Sequence, residues 1–348
     1  MSGRGGVGLI FLTTFCNARC AFCCVLDKLN RPELNPSDAE LEANIRRVRA
    51  DGCTTLSFTG GEPTVHPKFA EYCALGKELG FERITVNTNG IKLKNAAFAR
   101  ACVAAGLNDI GFSIHGHEAA LHDELVARPG AFAAIVEAVR HLEGLQREFK
   151  FHMNATVVVT TSNAPALPQL IDTLADMGLK DVRFKHCFEG GKGADASLVA
   201  LYEAAVGPVR RAAERAHARG VELQLTHFPL CLLGPEMVWA TDLAERRVLA
   251  FGTQGDVFDG RAVDHRRAGS SGCSKRVLSA CCSRLDERYP SLEVERWLAP
   301  LTTPEGARAT LADGLARYAL YTRPAAWAVN QLLQQLGQAP IAAPPRSR

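Results

Sequence analysis

The 348-residue sequence has no apolar run long enough to span a bilayer, and its net charge is only +3 with histidines neutral. A membrane helix needs roughly 20 consecutive apolar residues, so no candidate span is left. The small net charge gives no electrostatic case for a nucleic-acid or membrane partner. The apolar stretch VGLIFLTTF at residues 7–15 lacks a small-residue cleavage site and runs straight into a group of cysteines. It reads as a first strand rather than a secretory signal. The chain is therefore expected in the cytoplasm, where disulfides are rare. No internal repeat is visible beyond strand–helix alternation. Cysteine, by contrast, is plentiful at twelve residues, and apolar residues reach 47%, enough for a sizeable core. In a reducing compartment, clustered cysteines read as metal ligands or catalytic thiols.

From residue 8 to about 225, short β-rich runs alternate with helical patterns. The strand-like runs are GLIFLTT, TTLSF, RITVN, DIGFSI, HMNATVVVT and DVRFKH. Alternation of this kind predicts parallel strands with right-handed crossovers. The fold class is α/β, a partial (β/α)6 barrel over 1–225, with a small extension over 226–300 and helices and a tail over 301–348. The phase within the strands is informative. Ile110, Phe112 and Ile114 alternate with Gly111, Ser113 and His115, and Val182 and Phe184 alternate with Arg183 and Lys185. One face is apolar and the other polar, which suits a lumen holding a ligand rather than a closed barrel packed with branched side chains.

Cys16, Cys20, Cys23 and Cys24 fall within nine residues, and the first three follow the spacing CxxxCxxC. Three thiolates on a short loop leave one iron of a four-iron cluster without a protein ligand. A zinc site would draft Cys24 as a fourth ligand, but adjacent Cys23 and Cys24 side chains diverge. With aromatic Phe22 before the third cysteine, CNARCAFC resembles the CxxxCxΦC motif of the radical S-adenosylmethionine (SAM) enzymes. FTGGEP at 58–63, NTNG at 87–90 and FSIHG at 112–116 are similar to that family's later strand-end motifs, in the same order.

The resemblance implies that Cys16, Cys20 and Cys23 hold a [4Fe-4S] cluster and that SAM is cleaved to methionine and a 5′-deoxyadenosyl radical. It assigns Phe22 to the adenine and Gly60 and Gly61 to a close backbone approach. Glu62 falls to the SAM ammonium, Ser113 to the ribose or carboxylate, and Asn154 to a further SAM contact. An electron donor such as flavodoxin or ferredoxin is implied as partner.

Cys231, Cys273, Cys281 and Cys282 lie beyond the barrel. Their arrangement resembles the auxiliary-cluster segment of the SPASM and twitch subfamilies. Arg276 stands where a second cysteine of C-x-x-C is usual, so the implied ligands of a second iron-sulfur cluster are Cys231, Cys273 and Cys282, with Cys281 competing for the last place. On the polar face or at its mouth, His115, His152, Arg183, Lys185 and Cys187 lean positive and suit an anionic group. Cys187 and His115 are the candidate catalytic residues, Cys187 as a hydrogen-atom donor to a substrate radical.

The function expected is hydrogen-atom abstraction from a small substrate, anionic in the reading of that face. Maturation of a ribosomal peptide by a carbon–carbon or thioether crosslink is the alternative, weakened because Cys16 leaves no room for a preceding recognition domain. The molybdopterin-precursor cyclase of the superfamily ends in Gly-Gly, whereas this sequence ends PPRSR. A non-catalytic iron-sulfur or zinc scaffold has no use for SAM contacts.

Overall fold

The computed structural model describes residues 6–187, 195–198, 202–228, 230–240, 248–251, 257–259, 303–318 and 324–342. Strands and helices alternate as β1 (Gly6–Thr13), α1 (Asp38–Ala50), β2 (Cys53–Gly60), α2 (Phe69–Glu78), β3 (Arg83–Thr88) and α3 (Ala96–Ala104). They continue as β4 (Asp109–Ser113), α4 (Ala119–Leu125), α5 (Ala131–Leu145), β5 (His152–Val159), α6 (Leu167–Asp176), β6 (Asp181–His186), α7 (Tyr202–Ala218) and β7 (Glu222–Thr226). A short helix α8 (Leu230–Leu233), strands β8 (Val248–Phe251) and β9 (Val257–Asp259), and helices α9 (Pro304–Arg317) and α10 (Pro324–Gln335) follow.

Spatial order matches chain order from β1 to β7, with β8 and β9 added beyond β1. Strands β1 to β7 pair in parallel, β8 joins β1 in parallel, and β9 runs antiparallel to β8. Every crossover from β1 to β7 thus advances one place in the same direction, the winding of a partial barrel. Among the described residues β7 and β9 are the outer strands, so the sheet stays open.

Two features depart from the sequence expectation. A seventh parallel strand is present, where six were expected. Its cue is in the sequence: Val221, Leu223 and Leu225 are buried and alternate with Glu222, Gln224 and Thr226. Strands β8 and β9, which the sequence reading does not mark as strands, extend the same sheet. Cys273, Cys281 and Cys282 lie outside the described residues.

The helices start where local chemistry favours it. Ser37 and Glu40 close a reciprocal capping box on α1, with Asp38 and Glu40 in the first turn and Arg47 and Arg49 in the last. Its Leu41, Ile45 and Val48 are fully buried against the sheet. The expected strand phase holds. Ile10, Leu56, Phe58, Ile84, Val86, Ile110, Phe112, Val157, Val182 and Phe184 are all buried in one core under the helices.

The opposite face is a polar ladder. Register sets Ser57 beside Thr85, Asn87 beside Gly111, Gly111 beside Asn154, Thr156 between Ser113 and Arg183, and Lys185 beside Thr226. At the N-terminal end of the strands this face is closed by Asp109, which is 2% exposed. Asp109 pairs with Arg83, accepts 2.8 Å from Asn154 Nδ2, and lies 3.3 Å from His152 Nδ1. His152 also approaches Asp181 at 3.8 Å. His152, expected on this face or at its mouth, lies on the face at its floor, because it opens β5.

Burial alone would raise the Asp109 pKa, but the His152 hydrogen bond and the Arg83 charge outweigh it and hold the carboxyl below its ordinary value. A carboxyl depressed in the fold adds stability above its unfolded pKa and loses it as pH falls through the folded one. Asp109→Ala is expected to cost about 1–3 kcal/mol in urea unfolding at pH 7, since it leaves buried donors unpaired. The gap between variant and wild type should narrow below about pH 4; a gap independent of pH would show that the carboxylate charge is not what holds the floor.

Candidate active site at the carboxyl ends of the strands

The cysteine loop leaves β1 and is held by hydrogen bonds to elements distant in sequence. Cys16 N donates to Asn30 Oδ1 at 3.1 Å, and Asn30 N donates back to Thr14 O at 2.9 Å. Asn30 sits at φ 56, a left-handed conformation that asparagine tolerates better than most residues. Arg19 N and Ala21 N each donate at 3.0 Å, to Val126 O and Leu125 O at the end of α4. Ala18 packs with Val126 and Ala131, and Cys16 and Cys20 lie against this small cluster. The Phe22 ring meets the His115 ring edge-on, centroids 4.7 Å apart, which fastens the loop to the end of β4.

Cys16, Cys20 and Cys23 are part-buried and Cys24 is exposed. Burial pushes the Cys16 thiol up to about 11 and the Cys20 thiol up to about 12. The other two thiols of the trio add to the rise at Cys20. The three are thus near neighbours, and a cation is needed to hold them as thiolates. Among the described residues no three His, Cys, Asp or Glu side chains close to the spacing of a single metal ion. The donor set fits a [4Fe-4S] cluster: three soft thiols on one loop, near enough to interact, with Cys24 turned to solvent.

Glu62, 2% exposed, ties this loop to the neighbouring strands. Its Oε1 accepts from Thr64 N at 3.0 Å, Thr64 Oγ1 at 2.5 Å and Thr88 Oγ1 at 2.7 Å, and its Oε2 accepts from Asn89 N at 2.7 Å. Burial raises its pKa, opposed by these four donors. The backbone completes the joint: Gly61 N donates to Thr13 O and Glu62 N to Phe15 O, both at 2.7 Å. Asn89 Nδ2 donates to Asn17 Oδ1 in the cysteine loop at 2.7 Å.

The sequence reading gives Gly60 and Gly61 a close approach to a ligand. Here what they approach is the exit of β1. A Cβ at Gly60, whose φ is 141, would stand 2.4 Å from Thr13 O, and one at Gly61 2.4 Å from Phe15 O. The parts played by Thr64 and by Thr88 and Asn89 of the NTNG stretch are not readable from sequence alone.

His115 is 3% exposed. Its Nδ1 accepts from Val158 N at 3.1 Å, its backbone N donates to His122 Nδ1 at 3.1 Å, and its carbonyl accepts from Asn163 Nδ2 at 2.9 Å. Burial drives its pKa well below the ordinary value, so the ring is neutral with its proton on Nε2. The geometry makes His115 a brace between β4, β5 and Phe22.

Ser113 is part-buried at the end of β4. Asn154 Nδ2 donates to Asp109, and its Oδ1 is left for a ligand. That oxygen and Asn87 Oδ1 flank the gap at Gly111, each within 3 Å of where a Cβ would be. Cys187, 4% exposed, follows β6 and its N–H donates to Val159 O at 3.1 Å. Cys231 lies in α8.

Residues 10–158 match the sequence profile of the Radical SAM superfamily. That stretch runs from β1 through β5, contains the cysteine loop, Glu62 and Thr88–Asn89, and is similar to the radical SAM domain. The Fe-coproporphyrin III synthase of Methanosarcina barkeri is 27% identical over 184 residues, covering 52% of this chain and 44% of its own. The probable GTP 3′,8-cyclase of Sulfolobus acidocaldarius is 26% identical over 194 residues, covering 54% of this chain and 58% of its own. The chain therefore spans about half the length of these relatives. Among solved structures, a histidine-tagged anSMEcpe with bound AdoMet superposes with a TM-score of 0.65 at 14% identity, over 93% of this chain and 98% of that one. A likeness at that identity establishes the fold.

The joint at Gly61 is directly testable. An alanine there would place its Cβ against two carbonyl oxygens, Phe15 O at 2.4 Å and Thr14 O at 2.7 Å. Neither is a flexible side chain, so the cysteine loop has to shift. Gly61→Ala is expected to keep its far-UV circular dichroism yet bind less than half the wild-type iron on anaerobic reconstitution. Full iron uptake would show that the loop does not depend on this contact.

Proposed function

We propose that this chain is a radical SAM enzyme acting on a small anionic substrate. The observation that carries this reading is the physical joining of the CxxxCxxC loop, Glu62 and Thr88–Asn89 at one end of the sheet. Cys16, Cys20 and Cys23 would hold a [4Fe-4S] cluster, which when bound supplies the electron that cleaves SAM to methionine and a 5′-deoxyadenosyl radical able to take a hydrogen atom from substrate. The protein's own part is to position and to keep water out.

Glu62 Oε2 accepts one hydrogen bond and keeps capacity for the SAM ammonium. Ser113 and the amide oxygens of Asn87 and Asn154 offer polar contacts to hydroxyl or amino groups. Phe22, already packed on His115, offers the adenine a backbone and ring edge. Cys187 at the exit of β6 is the candidate hydrogen-atom donor. A flavodoxin or ferredoxin would deliver the electron, in the cytoplasm.

A second cluster on Cys231, Cys273 and Cys282 belongs to the same proposal. It rests on partial sequence spacing, and Arg276 removes one ligand usual in such segments.

One set of variants separates the two clusters. The Cys16/Cys20/Cys23→Ala protein should form no 5′-deoxyadenosine with dithionite as reductant, measured by chromatography. It should retain about four irons if the second cluster exists, since each four-iron cluster contributes that many. Those irons should go when Cys231 is also changed to Ala. Residual SAM cleavage would overturn the first assignment; an iron-free triple variant would overturn the second.

A further inference from the structure

The polar face holds two cations: Arg183 feels the carboxylates of Asp181 and Asp109, whereas no carboxylate acts on Lys185. Arg183 and Lys185 project from β6 on the same side as Thr156 and Ser113 of β5 and β4, as the register requires. Arg183 spends Nε and Nη2 on the neutral Gln224 Oε1, at 3.2 and 3.0 Å. Lys185 has no hydrogen-bond or ion-pair partner among the described residues. The carboxylates of these strands lie lower. Asp181 and Glu222 face each other one same-side step below Arg183 and two below Lys185. Asp181 is further engaged by Gln224 Nε2 at 3.0 Å. Beside the cations, Thr156 is 5% exposed and its buried Oγ1 finds no partner among the described residues.

Two like charges on one half-buried face are unfavourable without an anion, and a buried hydroxyl without a partner costs free energy that a ligand oxygen recovers. Together they describe a recess with two cations and a donor hydroxyl. It lies toward the cysteine loop, to which the chain after β6 is bound: Asp195 N donates to Ala21 O at 2.8 Å.

We propose that Lys185, Arg183 and Thr156 form the subsite for an anionic group of the substrate, a carboxylate or phosphate. This rests on the radical SAM reading and deepens it, since it fixes the substrate's charged end under β5 and β6. The SAM carboxylate is the competing source of the same chemistry. The two cations lie on β6, whereas Glu62 and its partners lie at the ends of β2 and β3. An amino acid spanning from Glu62 through its ammonium would need its carboxylate three strands away to use Lys185.

The test uses reconstituted protein already loaded with SAM, and inorganic phosphate as the probe in titration calorimetry. Wild type is expected to bind phosphate, and Lys185→Met to bind it at least about tenfold more weakly, the loss of one charge-assisted hydrogen bond. Lys185→Arg keeps the charge and should stay within about threefold of wild type. Thr156→Val should weaken phosphate by about fivefold and decides the matter if Lys185→Met fails to fold. SAM affinity, measured in parallel by equilibrium dialysis, should fall less than phosphate affinity in Lys185→Met. The proposal is overturned by phosphate binding that is absent from wild type or indifferent to these variants. It is equally overturned if SAM affinity falls as far as phosphate affinity, which would give the cations to the SAM carboxylate. Wild-type protein that takes up no SAM would instead fail the radical SAM reading, before any phosphate is added.

Discussion

The arrangement at the carboxyl ends of the strands depends on one buried carboxylate. Glu62 accepts from Thr64 twice and once each from Thr88 and Asn89, while its own N–H and that of Gly61 bind the exit of β1. A carboxylate leaves water at a cost of several kcal/mol, and only a full set of donors makes the site tolerable. The donors come from separate stretches of chain, so meeting that cost fixes the ends of β1, β2 and β3 relative to one another. The cysteine loop inherits this geometry. It departs from Thr13, crosses Gly61 too closely for any side chain there, and is met again by Asn89 through Asn17. The residues that the family resemblance would assign to SAM are thus also the residues that build the loop's platform.

The same sheet shows how a polar interior is tolerated at its other end. Burying Asp109 is offset by Arg83, His152 and Asn154, which close the floor. Above it the ladder changes from paired to unpaired: Asn87 and Asn154 leave oxygens around the gap at Gly111, Thr156 leaves a hydroxyl, and Lys185 leaves an ammonium. Satisfied groups close the floor, and among the described residues the unpaired ones lie above it along β4, β5 and β6. In a parallel sheet with helices on the other face, that is where ligands bind.

Much of this is legible in the sequence because it depends on short spacings. Strand phase follows from period-2 alternation, and Ile110, Phe112 and Ile114 fall on the buried face as expected. The capped start of α1 follows from Ser37 and Glu40. The seventh strand escapes the sequence reading because it follows the glycine that ends α7, with no further helical pattern behind it to complete another unit. What is not legible is pairing across distance. Glu62 reads as facing a ligand, and nothing local says that Thr88 and Asn89, some 26 residues on, fill much of its hydrogen-bonding capacity. His115 reads as catalytic because a histidine at a strand end is chemically suggestive. Only the fold reveals that its Nδ1 accepts from Val158 N and that the Phe22 ring packs on it. Strand β8, four residues of ordinary composition, joins β1 across some 240 positions of sequence.

The thiols carry the last step of the argument. Without a cation, burial holds Cys16 and Cys20 protonated far above neutral pH. The loop that carries them is nevertheless built in advance, by main-chain bonds to Leu125 and Val126, by Asn30, and by Asn17 to Asn89. The geometry of the loop is therefore set in part by the sheet and by α4, and a cation held there takes the place of protons on part-buried sulfurs. Metal sites assembled from an unfolded loop must draw their folding energy from the metal itself. Here bonds to α4, to Asn30 and to Asn89 share in ordering the loop. Affinity for iron at this loop is consequently a property of how well β1, β2 and β3 are joined, as much as of the three sulfur atoms.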